Sequence, residues 1–415
     1  MSNGGTDHIE QLSPPERILL APGPTNLPTS VVQALIAPLT GHKDPFYLQV
    51  MDETAQLTRY VYQTQNKTSM SLPGSGGAGM EAAMANLLQP GDTAVVCING
   101  LFGLRMADIA HRCGAEVIEV AAPWGKPVDP DDVRRALDGV KARVVSCVHG
   151  ETSTGVEQPV APLGKIAEDH GAMLVVDAVA TLGGIPVVPD EWGSAICYSA
   201  SQKCLSAPPG LSAITVSDSA MGYIRDRDVP VNNWYLDLVL HDKYWFAAER
   251  AYHHTAPVLL NYALHEALRV IAEEGLEECF ARHDLHSRAL MAGLEALEVE
   301  LFADPAFQLK TVIAARVPEG VNDLRLRSEL LNEFGVEIAG GLGEYAGKMW
   351  RIGVMGNSAS RNNMLAFLTA LETLLARQGG APASGTAVAA ANRVYAADKS
   401  TGGDKRSTAV YNLGS

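Results

Sequence analysis

Between Thr93 and Ser217, short runs of apolar, often β-branched residues alternate with polar stretches of helical period. The runs are Thr93–Ile98, Glu116–Val120, Arg143–His149, Met173–Asp177, Ala195–Ser199 and Leu211–Val216. Between them Leu104–Cys113 and Leu163–His170 read as helices, with Pro, Asp and Gly at the joins. Such βα alternation predicts an α/β fold with a mostly parallel sheet covered by helices on both faces. Runs that are apolar at successive positions, not at alternate ones, fit strands buried on both sides. After Pro230 the pattern changes. Leu259–Glu274 has apolar residues at helical spacing, including Leu260, Leu264, Leu268 and Ile271. Lys310–Val317, Val336–Ala339 and Met349–Val354 read as strands, and Asp323–Phe334 and Arg361–Leu375 as helices. We expect a large domain over 18–275 and a smaller α+β domain over 276–378. Residues 379–415 then form a linker (Gly379–Gly385), a short helix (Ala387–Ala397) and a polar, disordered tail.

Composition narrows the partners. Of 415 residues, 47% are hydrophobic and 19% charged, with a formal net charge of −15. That field repels phosphate backbones, so neither nucleic acid nor an anionic membrane is an expected partner, and any anion must bind at a local basic site. No apolar run reaches the roughly 18–20 residues of a spanning helix. Cys97, Cys113, Cys147, Cys197, Cys204 and Cys279 form no CxxC pair, and they read as buried thiols kept reduced. Met1–Arg17 lacks an apolar signal core or an Arg-rich presequence, and the last residues are no peroxisomal tripeptide. A cytoplasmic location is expected.

Three segments carry candidate chemistry. Leu72-Pro73-Gly74-Ser75-Gly76-Gly77-Ala78-Gly79 runs into a helix over Glu81–Leu88. Glycines before a helix N-terminus allow an anion to approach free N–H groups, although a plain flexible loop fits as well. It lacks the Gly-Lys-Ser/Thr of a Walker loop, and it is not expected in the strand–turn–helix setting of a dinucleotide fingerprint. Asp177 ends the apolar run Leu174-Val175-Val176, at the sheet edge where α/β folds bind ligands. It could ligate a metal, cap the next helix or pair with a cationic ring nitrogen. Lys203 lies between two strands in Tyr198-Ser199-Ala200-Ser201-Gln202-Lys203-Cys204, a stretch with almost no other charge. Most lysines are solvated; a desolvated one has a lowered pKa and can form a Schiff base.

An anion cradle, a strand-end Asp and a loop Lys, in that order, meet the needs of pyridoxal phosphate. On these residues the chain resembles the class V, fold-type I aminotransferases, most nearly the alanine–glyoxylate (serine–pyruvate) group. The likeness spans about residues 18–378. Its landmarks are Ala21-Pro22-Gly23-Pro24-Thr25-Asn26, Gly74-Ser75-Gly76, Asn99-Gly100-Leu101-Phe102-Gly103 and His149-Gly150-Glu151-Thr152-Ser153-Thr154-Gly155-Val156. Val176-Asp177-Ala178-Val179, Ser201-Gln202-Lys203, Tyr252-His253-His254-Thr255 and Arg351-Ile352-Gly353 complete them.

The resemblance implies a seven-stranded, mostly parallel sheet in the large domain, with the N-terminal segment on the small domain or on a partner subunit. It implies Lys203 as the Schiff-base lysine and Asp177 as the partner of the pyridine nitrogen. Phe102 matches the aromatic position that stacks on the cofactor ring, and Thr152 a hydroxyl near the ring oxygen. Ser75, Gly76 and Gln202 match phosphate ligands, with Gly77 standing where some relatives have His. Val179 matches a residue in contact with the cofactor. Tyr252 and Thr255 match residues that reach the phosphate of the neighbouring subunit, which implies a homodimer with shared sites. Arg351 matches the arginine that holds the substrate α-carboxylate, and Asn26 a second substrate contact. The reaction implied is ping-pong transfer of the amino group of alanine or serine to glyoxylate or a similar 2-oxo acid, with the Lys203 amine as general base. His253 and His254 suggest a metal site, but adjacent side chains are expected to diverge and no Cys or carboxylate lies at ligand spacing, so no metal is expected.

Other readings on the fold remain. Ureidoglycine–glyoxylate aminotransferases look similar around His253-His254-Thr255 but carry Asn at Tyr252 and Gln at His42. A pyridoxamine–pyruvate aminotransferase shares Lys203-Cys204-Leu205 and Ala207-Pro208-Pro209-Gly210. Pyridoxal-phosphate lyases and desulfurases place His over the ring and a nucleophilic Cys on a loop, whereas here Phe102 takes the ring position and Cys279 falls in a helix. A non-catalytic member would be expected to lack Lys203, Asp177 or Arg351.

Overall fold

The computed structural model describes residues 11–379 and 385–398. Its centre is a seven-stranded sheet. From edge to edge the order is Thr68–Pro73, Leu211–Val216, Ser194–Tyr198, Met173–Asp177, Ala142–Val148, Thr93–Ile98 and Glu116–Ala121. The last five run parallel, and Leu211–Val216 is antiparallel to both its neighbours. Every residue of Ser194–Tyr198 and of Leu211–Val216 is buried, as the unbroken apolar runs predict.

Successive side chains point to opposite faces. Val96, Val144, Val175 and Ile196 therefore fall in one apolar core, and Val95, Val145, Val176 and Cys197 in another on the far side. A third core gathers Leu290, Trp350, Ile352, Phe367 and Leu371 around a three-stranded sheet that contains Val312–Arg316 and Met349–Gly353. Leu20 belongs to this third core, and Ile18–Leu19 pairs in parallel with Val336–Glu337. The N-terminal segment thus crosses to the C-terminal part of the chain.

Three differences from the pattern reading matter. The glycine-rich loop does follow a strand, Thr68–Pro73, and opens the helix Gly76–Leu87, so its setting is strand–turn–helix after all. The strand's apolar pattern is broken because three of its five buried residues are polar. Ser69 bonds Thr215 at 2.8 Å and Ser71 donates to Asn261 at 2.7 Å. Pro45–Tyr62 is also helical, with Asp44 capping Phe46 N–H at 2.9 Å and Pro45 opening the first turn. Finally, Val258–Glu274 stops at Gly275 (φ +91°) before a second helix, Leu276–Ala296. Thr386–Ala397 is helical as expected, while most of the linker and the tail beyond Asp398 lie outside the described residues.

All six cysteines are buried and unpaired. Burial pushes the Cys97, Cys204 and Cys279 thiols up to about 12. Such thiols are poor nucleophiles at neutral pH. Among the described residues no helix is long and apolar enough to cross a membrane.

Candidate active site

The parallel strands end in a cavity of about 230 Å³. Ser75, Gly76, Gly77, Phe102, Thr152, Asp177, Val179, Gln202 and Lys203 all line it, drawn from segments up to 128 residues apart (75 to 203). A roomier depression of about 1090 Å³ lies on the outer surface, where Lys67 pairs with Asp218 and Arg225 with Asp242.

One end of the cavity is built for an anion. Helix Gly76–Leu87 starts there, and first-turn N–H groups have no carbonyl one turn back to donate to. A Cβ on Gly76 would sit 2.8 Å from Val179 Cγ2 and 3.1 Å from Ala200, so only glycine fits. At Gly77 the nearest atom to such a Cβ is Ser75 Oγ at 3.8 Å, which leaves room for the larger side chain expected in relatives. Opposite, the Oε1 atom of Gln202 is buried with no hydrogen-bond partner. A buried acceptor left bare is costly unless a ligand or water satisfies it.

Asp177 ends the central strand and is buried. Its Oδ1 accepts from Val179 N–H at 2.8 Å and its Oδ2 from the Tyr198 hydroxyl at 2.9 Å. Burial raises its pKa to about 7 against the pull of those two bonds, with Glu151 adding to the rise and Lys203 opposing it. A cation brought close would hold it ionised. Lys203 follows the adjacent strand. Its Nζ donates to the Pro22 carbonyl, and a Cβ on Gly23 (φ +86°) would strike its side chain. Burial lowers the Lys203 pKa to about 8, helped by Arg351 and opposed by Cys204 and Asp177. A free amine is therefore accessible near neutral pH.

Arg351 reaches over from the C-terminal sheet and is buried. Its Nε donates to Gly340 O at 2.8 Å, and Nη1 makes a long 3.5 Å contact with Thr152 O. Burial lowers its pKa and Glu151 opposes that; a guanidinium stays charged regardless. Glu151 itself was given no role by sequence reasoning. It is fully buried, with Oε2 accepting from the N–H groups of Phe102 (3.0 Å) and Gly103 (3.4 Å). Its Oε1 accepts from Ser153 N–H (2.9 Å) and Oγ (2.6 Å). It thereby ties the start of helix Leu101–Arg112, and with it Phe102, to the Thr152 loop. Arg105 lies over the Phe102 ring at 4.9 Å.

Some expected residues stand elsewhere. Asn26 is outside the cavity lining, and its amide is already committed. Oδ1 accepts from Leu19 N–H at 2.9 Å, and Nδ2 donates to Arg17 O at 2.8 Å. Its observed work is to fasten the N-terminal segment. Tyr252 and Thr255 are exposed and bond each other at 3.1 Å, away from this chain's cavity. Nor do His253 and His254 diverge. Their Nδ1 atoms lie 2.8 Å apart because the segment bends between them, and His241 packs beside both.

Comparison with known proteins agrees with this geometry. Residues 18–347 match the family model described as aminotransferase class-V. The alanine–glyoxylate aminotransferase of Callithrix jacchus is 40% identical over 359 residues, 86% of this chain and 87% of its own. The crystal structure of ureidoglycine–glyoxylate aminotransferase from Bacillus subtilis superposes with a TM-score of 0.91 at 38% identity, covering 93% of this chain and all of that one. That of an alanine–glyoxylate aminotransferase from Nostoc sp. gives 0.87 at 42% identity, covering 90% and 100%. The chain belongs to the class V aminotransferases, pyridoxal-phosphate enzymes of fold type I.

Proposed function

We propose that this aminotransferase moves the amino group of a small L-amino acid, alanine or serine, to glyoxylate or a similar 2-oxo acid. The observation that carries the reading is one small cavity holding a buried lysine, a strand-end carboxylate and a helix start, with the Arg351 guanidinium beside it at the Thr152 carbonyl. The residues fit pyridoxal phosphate. The Gly76 cradle and the Gln202 amide, turned so that its NH2 donates, suit its phosphate oxygens, Asp177 its ring nitrogen, and Lys203 its aldehyde carbon. Bound there, the cofactor supplies an electron sink that makes the donor's Cα–H acidic. Lys203 Nζ would take that proton from Cα as general base and hand it to the cofactor's aldehyde carbon within the same half-reaction, and the acceptor half-reaction would run the transfer in reverse. Asp177 stays ionised opposite the ring cation. Arg351 holds the donor α-carboxylate in a bidentate pair and so sets the direction of the Cα–H bond. Glu151 keeps Phe102 and Thr152 in place on either side.

The limited volume favours a donor with a short side chain. The likeness to the Bacillus subtilis enzyme keeps a ureido donor as the second reading, with glyoxylate as the shared acceptor. The test is optical. The absorbance of the bound cofactor should bleach with L-alanine or L-serine and return with glyoxylate. Bleaching by ureidoglycine alone selects the second reading, and release of ammonia or sulfide rejects transamination.

The same reading makes the chain half of a homodimer, with exposed Tyr252 and Thr255 serving the neighbour's phosphate. It divides the chain near Gly275 into a large cofactor domain (18–275) and a small domain (276–378), the N-terminal strand lying on the latter. Six reduced thiols favour a cytoplasmic setting.

A further inference from the structure

Three histidines converge outside the cofactor cavity. His241 comes from the helix Leu238–Phe246, and His253 and His254 from the segment before Val258–Glu274. One ring nitrogen of each lies within 4.8 Å of the others, and no other such group of His, Cys, Asp or Glu occurs among the described residues. Their relative exposures are 0%, 6% and 8%.

The hydrogen bonds around the rings decide what they can do. His241 Nε2 lies 2.9 Å from the Tyr235 carbonyl, and His253 Nε2 lies 3.3 Å from the Trp234 carbonyl. A carbonyl only accepts, so each Nε2 carries the proton and each Nδ1 keeps its lone pair. Such a backbone carbonyl behind an imidazole is the usual outer partner of a metal-bound histidine. The Nδ1 of His241 is buried without any hydrogen-bond partner, on a ring whose centroid is 4.6 Å and 5.2 Å from those of His253 and His254. The Nδ1 atoms of His253 and His254 face each other at 2.8 Å. Two imidazole nitrogens so close must share either a proton or a cation.

We propose that His241, His253 and His254 bind a divalent first-row transition ion of the zinc class, with a fourth position left to water. Three neutral imidazoles and no carboxylate among them select zinc, cobalt, nickel or copper over magnesium and calcium, which want oxygen ligands. Tetrahedral zinc–imidazole bonds separate nitrogens by about 3.3 Å. The observed spread, 2.8 Å at its tightest and up to 4.8 Å, brackets that value, so modest ring rotations close the site. The ion would pin the segment bearing Tyr252 and Thr255 to the helix Leu238–Phe246. It is independent of the substrate reading above.

The test uses the tag-free holoenzyme, stripped of metal with a chelator, and Zn²⁺ alone. Calorimetry should show one equivalent bound per chain, and Co²⁺ in its place should give the visible absorption of nitrogen ligands in tetrahedral array. His241→Leu, which fills a similar buried volume, should weaken Zn²⁺ at least about a hundredfold, beyond the 10–100-fold of losing an outer partner. Zn²⁺ should raise the unfolding temperature of the wild type but not of this variant. His254→Gln is the second variant, with circular dichroism and bound-cofactor content checking that both are folded. Less than one equivalent on the wild type, or equal affinity in folded His241→Leu and His254→Gln, overturns the proposal and leaves a hydrogen-bonded aromatic cluster.

Discussion

Asp177 ends one buried strand and Lys203 lies in the turn after the adjacent one, whereas Tyr252 and Thr255 stand on an exposed segment with their hydroxyls 3.1 Å apart. The first pair is held by groups of the same chain. Val179 and Tyr198 fix the carboxylate, Pro22 receives the amine, and burial moves both pKa values toward neutrality. Around the second pair the contacts are at the surface, with the His42 ring 5.3 Å and Lys43 Nζ 5.8 Å from the Tyr252 ring. The difference teaches that proton chemistry needs positions rigid within one fold, because a pKa shift depends on dehydration that a loose surface cannot maintain. Under the proposed dimer, phosphate contacts demand only donors within reach, which a second chain can supply.

The sharpest way to break this contrast is at the amine. Lys203→Ala should lower kcat by roughly 10⁴-fold, the upper range for a positioned proton-transfer group, measured with alanine and glyoxylate; substantial residual transamination overturns the assignment. The rate at which apoenzyme captures pyridoxal phosphate should carry the same signature. Free amine is needed, so the rate should rise with pH through about 8 and fall about tenfold per unit below it. A capture rate that falls as pH rises through that range contradicts a desolvated Lys203. Arg351→Lys keeps the charge but loses the planar fork. KM for the donor should rise about 10–100-fold, the scale of a hydrogen bond to a charged group, with cofactor content unchanged.

What the sequence revealed follows the same division. Strands buried on both faces announce themselves as unbroken apolar runs, so Thr93–Ile98, Met173–Asp177 and Leu211–Val216 match the observed bounds. Lys203 was legible because a lone charge amid small residues is anomalous. Thr68–Pro73 was not, since its buried serines are satisfied by Thr215 and Asn261, 146 and 190 residues away. Glu151 holds donors 48 and 49 residues upstream, and no local pattern encodes such a partnership. The place of Asn26 in a landmark likewise says nothing of the Leu19 and Arg17 backbone groups its amide holds. His241 joins His253 and His254 only through the turn of the chain after Phe246.

The smallest expected effect sharpens the comparison most, because it asks which chain supplies the strap. Thr255→Ala should speed loss of bound cofactor by no more than about tenfold, the scale of one hydrogen bond. In a hybrid of Thr255→Ala with Lys203→Ala chains, a shared site combines the lysine of one chain with the threonine of the other. One site then carries both defects and the second carries neither. Hybrids should therefore keep half their cofactor with wild-type retention and recover half the wild-type turnover. If Thr255 serves its own chain instead, every lysine-bearing site in the hybrid loses cofactor at the fast rate. The presence or absence of a phase at the wild-type rate in the dissociation trace decides between them.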